Sequence, residues 1–261
     1  LGAAAQYGKF SVIFDLLPEV YPNAGTTLGF VVSLVGFVGI VLGVVAGLVV
    51  ARIGYRRAIL GALWVGAAVS FAQAFLPPLA GMLALRVLEG TSHLAIVVAA
   101  PTLIARLSAT QHRAFCLTLW GTFFGVAFAL LAWLGRPLAL NAGLPALFAA
   151  HGLYMAGFAL YLGARLTPMT GAEVPEPLSL GQILQDHGTI YRSPHIAAPA
   201  AGWLFYTFSF VSILTVLPPY LAPEARGLIM GAMPLVCFAG PGCGWRRARR
   251  WPGWLSPGRW G

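Results

Sequence analysis

Charged side chains are scarce in this chain, yet three titratable ones stand together inside a single apolar stretch. In LALRVLEGTSHLAIVVAAP, residues 83–101, Arg86 and Glu89 are three apart and Glu89 and His93 four apart. On a helix that spacing puts all three on one face. Lys9 stands in a second apolar stretch near the N-terminus, with Gln6 and Asp15 beside it. A guanidinium, a carboxylate and an imidazole gathered away from water can bind a charged solute or hand on a proton. Charge inside hydrocarbon is expensive, so such residues usually face a cavity or each other. Other readings stay open: Arg86 pairs with Glu89 as a structural tie, or snorkels to water near a helix end. Lys9 has the same ambiguity, with Asp15 and Glu89 both available as partners, and His93 reads equally well as a packed polar group.

The elements carrying these residues follow from apolar length. Of 261 residues, 59% are hydrophobic and 9% charged, whereas a soluble domain carries about 25% charged residues. The expectation is an all-α, polytopic membrane protein with the lipid bilayer as its solvent. The apolar runs are continuous and lack the alternation of a barrel strand. Several approach the roughly 20 residues that a spanning helix needs. Spans are expected near 1–17, 27–50, 58–76, 79–105, 114–134, 144–163 and 196–221, with a short eighth from about 227. The first reads as a truncated helix. Gly36, Gly39, Gly43 and Gly47 recur along the second and predict close helix contact there. The seventh holds Trp203 and Tyr206, which would either line a cavity or act as packing and interface anchors.

Basic residues orient the bundle. Arg52, Arg56 and Arg57 fall between spans two and three, Arg106 and Arg113 between four and five, and Arg165 and Arg192 between six and seven. Arg136 and Arg226 stand on the other side, so the first set of loops is expected in the cytoplasm. The same rule accounts for much of the net charge of +9 without any nucleic-acid partner. Cys116, Cys237 and Cys243 have no metal-ligand or redox spacing, and no motif calls for a cofactor.

The second-to-third loop reads Gly47-Leu48-Val49-Val50-Ala51-Arg52-Ile53-Gly54-Tyr55-Arg56-Arg57. Gly54 permits a tight reversal, and arginines there can bond helix-end carbonyls or sit at anionic lipid. This stretch resembles the G-x-x-x-D-R-x-G-R-[RK] loop of the major facilitator superfamily, with Ala51 where the acid usually stands. In the family that acid latches the loop to a neighbouring helix, and Ala51 supplies no carboxylate for it. Arg86-x-x-x-Gly90 is similar to the family's fourth-helix pattern. The resemblance implies a secondary transporter of two repeated halves, moving a small solute by alternating access, with or without a coupling proton. It implies a six-helix half over 1–163, a cytoplasmic linker over 164–195, and the first helices of a second half over 196–240. It also implies that helices one, four and seven line a central cavity. Lys9 and Arg86 would then face it together and favour an organic anion, with Glu89, His93 and Tyr206 on the same pathway.

Two stretches depart from the family. Span five has Gly121-x-x-x-Gly125 without the Pro-x-x-Gly-Gly that antiporters often carry. The segment 241–261, PGCGWRRARRWPGWLSPGRWG, has no apolar period. It reads as a product of a shifted coding frame near Gly240, or as a basic tail resting on anionic lipid. On that reading the chain is incomplete, and a non-transporting remnant is the alternative. A membrane enzyme is the other: Ser92 and His93 are adjacent, but neighbours on a helix point about 100° apart and form no nucleophile–base pair.

Overall fold

A computed structural model describes residues 1–166, 216–233 and 235, together with scattered positions between 181 and 213. All regular structure among them is helical: α1 (Gly2–Ser11), α2 (Leu17–Val20), α3 (Leu28–Ile53), α4 (Tyr55–Ala74), α5 (Leu79–Leu107), α6 (Thr110–Gly121), α7 (Phe123–Leu130), α8 (Arg136–Ala142), α9 (Leu144–Arg165) and α10 (Pro223–Ala232). Five stretches among the described residues are long and apolar enough to cross a membrane: Gly25–Gly43, Tyr55–Ala74, Leu79–Leu107, Thr110–Ala142 and Leu144–Arg165. Most of the expected linker and seventh span, Trp203 and Tyr206 included, lies outside the described residues, as does all of 241–261.

Local chemistry explains the boundaries. Pro77 and Pro78 end the connection from α4, and Pro78 precedes the first turn of α5. Two reversals are made by a single residue each. Gly54, at φ +89, joins α3 to α4, and Gly143, at φ +86, joins α8 to α9. Side chains with a Cβ avoid that backbone region, so each one-residue joint requires glycine.

The fifth span is longer than expected. Arg136 is expected in the loop beyond position 134, yet the 33-residue stretch Thr110–Ala142 is one spanning rod. A π turn at Leu131–Gly135 links α7 to α8 immediately before Arg136 and Pro137. Proline donates no hydrogen bond and its ring crowds the carbonyl four residues back. One wider turn absorbs both problems and lets the rod continue.

In packing, α1 is central and touches α3, α5, α7 and α9, while α3 and α4 flank α5, and α4 also packs on α9. α10 lies against α7 and the π turn. The buried residues sort into two apolar clusters. One gathers Ala58, Leu63, Ala99, Leu103, Phe123 and Met155. The other gathers Phe10, Val31, Met82, Leu144 and Phe148. Along α1, α4, α5 and α9 alike, polar residues separate the two.

The glycines of α3 depart from expectation. A Cβ at Gly36 would collide with the Tyr7 hydroxyl, but at Gly39, Gly43 and Gly47 it would meet nothing among the described residues. Valines make the contact instead. Val31, Val35 and Val38 are buried, and the close approach belongs to Gly90 of α5, where a Cβ would stand 2.8 Å from Val38. The opposite side of α3 faces outward, with Ile40 78% exposed, as suits lipid.

Candidate functional site

The polar layer contains Gln6 and Lys9 from α1, Ser70 and Gln73 from α4, Arg86, Glu89, Ser92 and His93 from α5, and His151 from α9, every one buried. Lys9, Arg86 and Glu89 are each 0% exposed. The i,i+3 spacing on α5 turns Arg86 and Glu89 the same way, and α1 brings Lys9 to them from across the bundle.

Glu89 is the hub. Its Oε1 accepts from Lys9 Nζ at 2.6 Å, and its Oε2 accepts from Gln73 Nε2 at 2.8 Å and from an Arg86 Nη1–H in a very short contact. Lys9 also donates to Gln73 Oε1 at 2.6 Å and Ser70 Oγ at 2.9 Å. Those three bonds use all three protons of an ammonium. Of the two partners open to Lys9, it takes Glu89. Arg86 donates through Nε to Val31 O at 2.5 Å and through Nη1 to Gln6 O at 2.8 Å. Its guanidinium lies 4.4 Å from the centre of the Phe10 ring, a cation–π contact that suits a desolvated arginine. Arg86 Nη2 and Gln6 Oε1 have no partner among the described residues.

The network also sets the histidine tautomers. His151 Nε2 lies 3.1 Å from Gly2 O, an acceptor only, so Nε2 carries the proton. Its Nδ1 is then free to accept from Ser70 Oγ at 2.7 Å. A chain of bonds thus runs from Lys9 through Ser70 to His151. His93 stands apart. Its Nδ1 donates to Ala3 O at 2.8 Å, and its ring packs edge-on to Tyr7. Nearby, Gln6 Nε2 donates to Ser92 Oγ, which donates to Ala62 O.

Of the candidate pathway residues, the structure brings Lys9, Arg86 and Glu89 into direct contact and turns His93 to the α1 backbone. Tyr206 lies outside the described residues. Sequence reasoning overlooked Ser70, Gln73 and His151. Their signal was local: Ser70 and Gln73 stand three apart on one face of α4, and His151 interrupts an apolar face of α9.

The loop arginines act at the opposite end of the bundle. Arg56 donates from Nε to Leu166 O at 2.6 Å and from Nη2 to Gly163 O at 3.0 Å, which caps the last turn of α9. Arg106 lies 4.8 Å from the centre of the Tyr55 ring, tying the next loop to the start of α4. Arg57 is exposed, and both Arg52 and Gly47 belong to the end of α3. At the other end, Arg136 grips Asp15 with two bonds of 2.7 Å and also donates to Val12 O. The Arg136 guanidinium holds the Asp15 carboxyl below the usual carboxylate range.

Apolar helices closed around a fully buried ionic layer define a multi-pass helical membrane protein whose charge is kept inside, away from lipid. The chain belongs to the Major Facilitator Superfamily, whose profile matches residues 1–260. That family is one of membrane transporters. The chain is similar to the inner membrane transport protein YajR of Escherichia coli strain K12, at 32% identity over 121 residues. That alignment covers 46% of this chain and spans only 26% of the relative's length. No solved structure matches the chain.

Proposed function

We propose that the chain carries a small anionic solute by alternating access, with the Lys9–Arg86–Glu89 layer as the solute-responsive centre. On this reading residues 1–163 form one rocking half, 164–195 the linker, and 196–240 the start of the second half. The Arg52, Arg56 and Arg57 loop faces the cytoplasm by the charge asymmetry of the loops.

One observation supports the anion: the buried layer holds two cations and one carboxylate, and Arg86 Nη2 is a donor with no partner among the described residues. Lys9 is saturated, so Arg86 is the side chain able to take a further acceptor. A unit charge about 4 Å from a guanidinium gains about 4 kcal/mol at an effective dielectric constant of about 20. That attraction favours an anion over a neutral analogue. The layer is closed in the present conformation, and opening from one side at a time is what alternating access supplies.

Uptake by proteoliposomes containing the purified chain tests this, using panels of anionic, neutral and cationic solutes. The expected result is uptake of an anionic solute that Arg86→Ala abolishes in correctly folded protein. Unchanged uptake in both Lys9→Ala and Arg86→Ala overturns the anion reading. Uptake of cationic solutes alone does so as well.

A further inference from the structure

At the end of the bundle remote from the Arg52–Arg57 loop, the N-terminal unit touches α10 through one side chain of distinctive fit. Trp133 projects from the π turn, and its Nε1 donates to Gly227 O at 3.2 Å. One helical turn later, a Cβ at Gly231 would overlap the same indole. At Gly227, one turn earlier on α10, a Cβ would meet nothing among the described residues, so the notch is the missing side chain of Gly231 alone. The indole occupies it, with its polar edge on the Gly227 carbonyl.

We propose that Trp133, seated in the Gly231 notch with its N–H on the Gly227 carbonyl, is a clasp that holds the two units together at this end. The inference rests on the alternating-access reading and adds the contact that must break for this end to open. Two features favour a releasable contact over a permanent one: the indole is 41% exposed, and the hydrogen bond is single. The unusual π turn has a role here as well. A wider turn re-aims the side chains it carries relative to a regular helix, and it carries Trp133 to α10.

The test needs no solute. Spin labels at Glu19→Cys and Glu224→Cys, both exposed positions, report the separation of the two units at this end. Cys116, Cys237 and Cys243 are replaced, and the full chain is held in lipid nanodiscs. Double electron–electron resonance should give a predominantly short distance for the parent protein. Gly231→Leu, which fills the notch, should move most of the population to longer distances. Trp133→Phe, which keeps the bulk and loses the N–H, should move a smaller share. Unchanged distributions in both variants overturn the clasp. If Gly231→Leu fails to elute as folded protein, Trp133→Phe and Trp133→Ala carry the decision, with unchanged distances again overturning it. Because uptake is not measured, failure here leaves the anion reading intact, and failed uptake leaves the clasp intact.

Discussion

Replacing Glu89 by Gln is the perturbation that most directly probes the buried layer. Glutamine keeps the shape and an acceptor oxygen, but it removes the charge that both Lys9 and Arg86 address. It also turns an NH2 group toward one of two cations, each 0% exposed. If the layer were ordinary interhelical hydrogen bonding at about 0.6 kcal/mol per bond, losing three bonds would cost about 2 kcal/mol. Leaving a buried charge without its partner costs about 3–5 kcal/mol instead. For a chain of this size, 1 kcal/mol moves the melting temperature by about 2–4 °C, so a drop of about 6–20 °C is expected. Lys9→Met should cost less, because it leaves Arg86 and Glu89 as a balanced pair. The double variant should be more stable than the sum of the single effects by about 1–3 kcal/mol, since residues sharing one network are coupled. Thermal unfolding in a single detergent, followed by intrinsic fluorescence, gives all three values. A Glu89→Gln protein melting within about 2 °C of the parent, or strictly additive single effects, would refute the view of Glu89 as the hub.

Three further expectations follow from particular contacts. Gly54→Ala places a Cβ on a backbone at φ +89 and should cost about 1–3 kcal/mol, read as a lowered melting temperature, whereas Gly61→Ala, where a Cβ meets nothing among the described residues, should not. Arg56→Gln releases the carbonyls of Gly163 and Leu166 and should cost about 1–3 kcal/mol, with faster hydrogen exchange confined to the last turn of α9. Asp15 has a folded-state pKa below its unfolded value of about 3.9. Its contribution is therefore full above that value and fades as pH falls through the lower, folded one. Because the pair is half exposed, this contribution is at most about 1 kcal/mol. Asp15→Asn should remove that part of the acid sensitivity, as measured by melting temperature across pH 3–6.

Some of this was legible in the residues and some was not, for identifiable reasons. Apolar run length located five spanning stretches, because a bilayer tolerates little else over about 20 residues. Periodicity put Arg86 and Glu89 on one face, since three residues make nearly one turn. The fifth span was underestimated because Arg136 was expected in a loop, and only the neighbouring π turn shows how Pro137 is accommodated. The α3 glycines misled because a small residue permits close contact without supplying a neighbour.

The sequence alone determined the solvent, the helical class, the one-residue reversal at Gly54 and the identities of the buried charges. All of these depend on properties that each residue carries with it or shares with neighbours one turn away. Partnership was decided by the tertiary structure. Lys9 is 80 positions from Glu89 and His151 is 142 from Lys9, and no local rule connects such distances. Asp15 was much nearer to Lys9 along the chain, yet it went to Arg136. That choice came from the packing of α1 among α3, α5, α7 and α9, which points Lys9 into the only carboxylate that the described layer encloses.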